Sequence, residues 1–430
     1  MMRCTILPNG VRIITENMPE FRSVSLGVWV NVGSRNDPPG ELGIAHFTEH
    51  MLFKGTPTRS AKQIAREIDA LGGHLNAQTA KEYTVYYTRV LDEHFPKAAD
   101  ILFDLFLNAE ISSEELEKEK NVVLQEIRMT EDTPEDYITD LFTAAFFRDT
   151  PLETSILGNV DTVKGLTRER ILAFLKESYD PQTIIIASAG NVEHERLVDL
   201  AAPLFEGTAS HTEGEKITPS SEEVCGFHKA YYRDIEQVHL MLGTKGSEMS
   251  DERRWTYIVL NTLLGGSMSS LLFQEARENL GLVYSIYSYL SAYRDCGVLA
   301  LYAATTPENV GKTLEVIKAQ MTRISKGDLG EISVDDVKAQ IKGNLLLSRE
   351  SSVNRMSSMA KNEMYYNREV PVEEVIEHIQ AVTLDAIVDL AKDIFKRDHL
   401  TLVSLGRITQ DEMQGLFKDY AHAEAAPAEA

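Results

Sequence analysis

Two pairs of segments in this chain repeat one another, and that repetition limits the fold more than any other feature. SVSLGVWVNVGSRND (23–37) runs alternating apolar residues into Gly-Ser and ends on Asp37, and QVHLMLGTKGSEMSD (237–251) does the same and ends on Asp251. TIIIASAGNV (183–192) is matched by LTLVSLGRI (400–408), each a β-rich apolar run closed by small residues. A helical pattern ending in Leu-Phe follows both, at Leu204-Phe205 and Leu416-Phe417. The two matches stand at nearly the same offset, which is expected of a duplicated α+β domain. A length of 430 residues suits two domains of about 200 residues each. The polar stretch GTASHTEGEKITPSSEE reads as a linker over 207–223, between domains at 1–206 and 224–420, with a frayed tail at 421–430.

Within the first half, a strand pair is expected over 11–34 and a helix around 41–54. A helix over 61–71 has Ser60 and Gln63 in capping-box spacing and stops at Gly72-Gly73. HLNAQTAKEYTVYYTRV (74–90) reads as a strand or hairpin, followed by helices near 94–108 and 113–130, the second capped by Ser112 and Glu115.

The formal charge of −23, from 43 basic and 66 acidic side chains, argues against a nucleic-acid partner, which would need clustered Lys and Arg. It suits cationic partners, although acidity also serves solubility alone. No window approaches the roughly 18 apolar residues of a membrane span, and MMRCTILPNGVRIITENMP has no apolar run like a signal-peptide core. Cys4, Cys225 and Cys296 are odd in number and far apart, so neither a disulfide framework nor a thiolate metal site is indicated, and a cytoplasmic location is expected.

The chemistry concentrates in GIAHFTEHMLFKGT. His46 and His50 are four residues apart, which on a helix places both imidazoles on one face and offers two nitrogen ligands to a zinc ion. Glu49 flanks that face, where its carboxylate can take a proton from water polarised by the metal. The order H-x-x-E-H is the inverzincin signature. Catalytic zinc usually takes three protein ligands, so another must come from elsewhere. In EELEKEKNVVLQEIRMTEDTPED, Glu126 stands out because it follows the apolar run Val122-Val123-Leu124, with Glu119 two turns earlier on the same face.

These segments resemble the inverzincin peptidases of the pitrilysin and mitochondrial-processing-peptidase type (M16), here in a short two-domain form. The resemblance extends over nearly all of the chain and rests on HFTEHMLFKGT, GGHLNAQTAKEYTVYY, EKEKNVVLQEI and LLGGSMSSLLFQEARENLGLVYS. It implies a LuxS/MPP-like metallohydrolase fold in which each domain packs an antiparallel-rich sheet with helices. It also implies one Zn²⁺ per chain, held by His46, His50 and Glu126, with Glu49 as the base and Glu119 supporting the site from behind. Leu271 is a departure, since relatives often carry Arg there.

The same resemblance makes GGHLNAQTAKEYTVYY the edge strand onto which an extended peptide is added, with Asn76 and Ala77 facing it and Phe53 as a candidate pocket residue. The second half lacks H-x-x-E-H but carries Arg277 and Tyr284, which match the family pair that contacts peptide backbone and a developing oxyanion. Gly265-Gly266 would give the preceding loop freedom to close. The implied activity is zinc-dependent endopeptidase cleavage of peptides or unfolded segments inside a chamber formed by a homodimer, with no membrane or nucleic-acid partner. The alternatives are the catalytic subunit of a heterodimeric targeting-sequence processing enzyme and a non-catalytic scaffold.

Overall fold

The computed structural model describes residues 2–208 and 226–422, so most of the expected linker and tail, together with Cys225, lies outside the described residues. The first half runs β1 (Met2–Ile6), β2 (Arg12–Asn17), β3 (Ser23–Val30), α1 (Ile44–Leu52), α2 (Ala61–Ala70), β4 (His74–Thr79) and β5 (Thr84–Leu91). It continues through α3 (Phe95–Leu107), α4 (Ser113–Asp132), α5 (Pro134–Phe146), α6 (Val160–Gly165), α7 (Arg168–Ser178), β6 (Ile184–Gly190) and α8 (His194–Phe205). The second half runs β7 (Phe227–Tyr232), β8 (Val238–Lys245), α9 (Arg254–Leu264), β9 (Val283–Ala292), β10 (Gly297–Thr305), α10 (Val310–Ser325) and α11 (Val334–Ser348). It closes with α12 (Ser352–Tyr366), α13 (Val372–Ala381), α14 (Leu384–Ile394), β11 (Thr401–Gly406) and α15 (Gln410–His422).

The strands form a six-stranded sheet in the order β1-β2-β6-β3-β5-β4 and a five-stranded sheet in the order β7-β11-β8-β10-β9. With β1 set aside, the two orders are the same, and the repeated segments occupy equivalent strands, β3 with β8 and β6 with β11. The fold class is α+β, and the duplication is visible strand by strand. The strand pair expected over 11–34 is not a hairpin, because β6 lies between β2 and β3, parallel to the first and antiparallel to the second. The capping box expected at α2 is present: Ser60 Oγ accepts from Gln63 N and Gln63 Oε1 accepts from Ser60 N. Ser112 Oγ likewise accepts from Glu115 N at 3.1 Å.

Two compact units are present, and they do not follow the contiguous halves. The first comprises residues 1–129, 154–218 and 346–370, and the second 130–153, 219–345 and 371–430. Helix α5, from the first half, therefore belongs to the second unit, and α12, from the second half, belongs to the first. The exchange explains why the central strands are apolar on both faces. Along β3, Val24, Leu26, Val28 and Val30 enter a core with α1 and α3, while Trp29 on the opposite face joins Met356, Met359 and Ala360 of α12. In the second unit, Leu240 and Leu242 of β8 pack with α9 and α10, and Met241 packs with Ile138 and Phe142 of α5.

Each exchanged helix meets a glycine on a central strand. A Cβ on Gly243 would lie 2.2 Å from Phe142 Cζ, whereas one on Gly27 would lie 3.1 Å from the flexible Met356 Sδ and 3.0 Å from Trp29 Nε1. Gly243→Ala is expected to destabilise the second unit by about 1–3 kcal/mol through overpacking against Phe142, and Gly27→Ala by less. Thermal unfolding of the two variants, with Phe142→Leu combined with Gly243→Ala to relieve the contact, measures the difference. Equal loss in both alanine variants, or no recovery with Phe142→Leu, would contradict this account of the exchanged helix.

Candidate metal centre

Helix α1 has nine residues, of which Ile44, Ala45, Phe47, Thr48, Met51 and Leu52 are buried. The remaining three, His46, Glu49 and His50, are half-buried and share the face left over. The N-cap, Gly43, has a φ of 89° and offers no side chain for capping. Asp37 takes that part from a distance, accepting from Gly43 N at 2.6 Å and Ala45 N at 3.1 Å. Burial pushes the Asp37 carboxyl up to about 7 against the pull of these two amides.

Helix α4 packs its buried side, including Leu116, Glu119, Val123 and Ile127, toward α1 and the sheet core. Glu119 is 4% exposed and accepts from His50 Nδ1 at 2.8 Å and from Lys54 Nζ. That bond assigns the proton to Nδ1 and leaves His50 Nε2 as the free ring nitrogen. Two turns along α4, Glu126 Oε2 lies 3.6 Å from His50 Nε2 and 4.0 Å from His46 Nε2, and the two Nε2 atoms are 3.2 Å apart.

His46, His50 and Glu126 are the one group of His, Cys, Asp and Glu spaced to hold a metal ion among the described residues. Bonds of about 2.1 Å in a tetrahedral site put ligand atoms about 3.4 Å apart, and the sides of this triangle, 3.2, 3.6 and 4.0 Å, bracket that value. Two imidazoles and one carboxylate suit zinc better than magnesium or calcium, which favour all-oxygen cages. Glu126 Oε2 is shielded from solvent and accepts no hydrogen bond, a costly state that a cation would relieve. The site therefore fits the ion that the sequence suggests.

The electrostatics follow from burial. His46 is lowered to about 3, chiefly by burial and then by its neighbour His50. Burial also pulls His50 down, but the hydrogen bond to Glu119 and the carboxylates of Glu126, Glu119 and Glu49 outweigh it and raise His50 above its ordinary value. Burial raises Glu49 above the usual carboxylate range, against the hydrogen bond that Thr79 Oγ1 donates to Glu49 Oε2 at 2.5 Å.

The other expected site residues are distributed differently. Asn76 and Ala77 lie on β4, which among the described residues pairs with β5 alone and so forms the sheet edge. The Asn76 carboxamide is engaged locally, its Oδ1 accepting from Ala77 N at 2.9 Å. Phe53 packs on the first unit's core, its ring 6.3 Å from that of Tyr86. Arg277 and Tyr284 belong to the second unit. Arg277 sits in a π-helical stretch, Phe273–Asn279, with its guanidinium 5.2 Å from the Tyr284 ring, and Tyr284 is 77% exposed. Leu271 is buried in the second unit's core.

Gly265 and Gly266 lie at points of close approach. A Cβ on Gly265 would lie 2.7 Å from Ser288 N and one on Gly266 2.9 Å from Thr262 Cα, and Gly265 O accepts from Ser288 N at 3.1 Å. The absence of a Cβ at each permits this close packing. Lys54, Thr79 and Asp37 escaped the sequence reading as parts of the site. Only Lys54 carried a local signal, since it follows His50 by one helical step of four.

Glu119→Gln is expected to weaken zinc affinity by roughly 10–100-fold, because the carboxylate that orients His50 is lost. A chromophoric-chelator competition measures it, and unchanged affinity contradicts the assignment. With His50 raised, the metal-free site keeps its proton as pH climbs, so zinc uptake releases a proton and apparent affinity rises with pH until His50 is neutral. Calorimetry in buffers of different ionisation enthalpy detects that release.

The chain is similar to known proteins over most of its length. The family model for insulinase (peptidase family M16) matches residues 12–160, and that for the peptidase M16 inactive domain matches residues 165–341. An uncharacterized zinc protease of Streptomyces coelicolor is 40% identical over 402 residues, covering 92% of this chain and 88% of that protein. An uncharacterized zinc protease of Bacillus subtilis is 40% identical over 399 residues, covering 92% of this chain and 96% of that protein. Among solved structures, a protease from Helicobacter pylori superposes with a TM-score of 0.87 at 22% identity, covering 94% of this chain and 99% of that one. A peptidase M16 inactive domain from Pseudomonas fluorescens gives a TM-score of 0.87 at 19% identity, covering 95% and 98%. No helix among the described residues is long and apolar enough to cross a membrane. The duplicated α+β fold, the H-x-x-E-H helix and these matches together place the chain in the insulinase family of peptidases, peptidase family M16.

Proposed function

We propose that this chain is a zinc-dependent endopeptidase that cleaves peptides or unfolded polypeptide segments. The observation that carries the proposal is the convergence of His46 Nε2, His50 Nε2 and Glu126 Oε2 within 4.8 Å of one another, on the helix face that also presents Glu49. A bound zinc ion supplies Lewis acidity toward water and a substrate carbonyl. His46, His50 and Glu126 would hold it, one ion per chain, and Glu119 keeps His50 in the tautomer whose Nε2 faces it. Glu49 accepts a proton from the attacking water on its carboxylate and passes it to the leaving amine nitrogen. Burial raises its pKa above the usual carboxylate range, which makes it a better proton acceptor.

Strand β4 supports an extended substrate, because among the described residues no strand lies beside its outer edge. A peptide that adds to such an edge must itself be extended, which favours short peptides and unfolded segments over folded proteins. We further propose a homodimer in which Arg277 and Tyr284 of one copy serve the metal centre of the other. Tyr284, highly exposed and with the Arg277 guanidinium over its ring, is a donor presented outward and suited to stabilising an oxyanion.

Metal analysis with a peptide-library digest, with and without chelator, tests the activity. Glu49→Gln is expected to keep its zinc while cleavage falls by about 100- to 10,000-fold, and cleavage unaffected by that change would overturn the mechanism. Mixing Glu49→Gln chains with Tyr284→Phe chains tests the assembly. Recovery of activity is expected as mixed dimers form one intact site, and no recovery with subunit exchange demonstrated would overturn completion in trans.

A further inference from the structure

The turn of the β4–β5 hairpin, residues 80–83, is held by the segment that leads into α1. Ser34 N donates to Ala80 O at 3.0 Å and Arg35 N to Lys81 O at 2.8 Å. Gly33 is required for this approach, since a Cβ there would fall 2.3 Å from Ala80 O. Arg35 Nη1 donates to Glu82 Oε1 at 2.7 Å with both side chains 4% exposed, and Tyr365 Oη of α12 donates to Glu82 Oε2 at 3.0 Å. A few residues later the same segment reaches Asp37, whose carboxylate accepts the amides that open α1. One short stretch thus fixes the end of the hairpin and the start of the helix that carries Glu49.

Thr79 is the last residue of β4 and is buried. Its Oγ1 donates to Glu49 Oε2 at 2.5 Å, and its backbone N–H bonds the same carboxylate. A β-branched Thr suits a strand in any case, and that preference alone would leave the hydroxyl free to bond anywhere. Here the hydroxyl is spent on Glu49, and two donors from one residue restrict rotation of the carboxylate plane.

We propose that Thr79 is a positioning residue that sets the orientation of the Glu49 carboxylate toward the metal centre. The inference rests on the endopeptidase reading above. Thr79→Val keeps the shape and the backbone donor but removes the hydroxyl, and Thr79→Ser keeps the hydroxyl. With Thr79→Val, kcat is expected to fall roughly ten- to hundred-fold while KM stays within about two-fold, because the base is misplaced and substrate binding is not. Zinc content by metal analysis and the thermal midpoint should match those of the wild type, and Thr79→Ser should recover kcat to within about three-fold. An unchanged kcat in Thr79→Val, equal impairment of the Ser and Val variants, or loss of zinc from Thr79→Val overturns the role, with the endopeptidase reading left standing. A wild-type protein without chelator-sensitive cleavage overturns both.

Discussion

The buried carboxylate of Glu119 is the contact on which the metal centre depends. It ties α4 to α1 through His50 Nδ1 and to the turn that follows α1 through Lys54 Nζ, and it sits among apolar neighbours where an unpaired charge would be costly. Seven residues separate Glu119 from Glu126, about 10 Å along a helix. Fixing the first therefore fixes the height at which the second meets the imidazoles. The three ligand atoms come from two helices, yet their spacing requires one register only. Removing both His50 and Lys54 would leave the buried Glu119 charge uncompensated, a loss of about 3–5 kcal/mol, whereas removing either alone leaves the other partner in place.

The exchanged helices give the duplication a physical consequence. Each sheet has one face covered by helices from its own half and the other by a helix from the opposite half, so neither half by itself contains the elements of a complete compact unit. Helix α12 is fastened to the first unit by more than apolar contact. Ser352 Oγ lies 2.9 Å from Ser25 Oγ, Arg355 pairs with Glu16, and Glu363 pairs with Arg12 at 3.3 Å. Tyr365 then reaches the hairpin turn through Glu82. The second half thus contributes to the support of the edge strand although its own helix α9 has no metal-binding side chains in the place of His46 and His50.

Much of this was legible in the residues, because the relevant rules are local. The capping box at Ser60, the cap at Ser112, the i, i+4 spacing of His46 and His50, and the period of the repeated strands each depend on neighbours within a turn or a strand. Glu126 and Glu119 were legible as a pair for the same reason, being two turns apart on one helix. What could not be read were choices made by the tertiary fold. Helices α5 and α12 are amphipathic, and amphipathicity says that a face is buried without saying against which sheet. The insertion of β6 between β2 and β3 joins residues far apart in the chain, and alternation of apolar residues is the same with either neighbour. Gly265 and Gly266 looked like a hinge, yet the packing of Ser288 and Thr262 against them makes them points of close contact.

The segment from Gly33 to Gly43 changes how the proposed base and the proposed substrate strand relate. In many enzymes these lie on separate elements whose relative motion must be controlled by closure on substrate. Here the two elements share one support, through the backbone bonds of Ser34 and Arg35 at the hairpin and the carboxylate of Asp37 at the helix. A buried ion pair between Arg35 and Glu82 locks the hairpin side, and both groups are too deeply buried for water to replace either partner cheaply. An extended peptide added to β4 would accordingly be placed against Glu49 by the first unit alone.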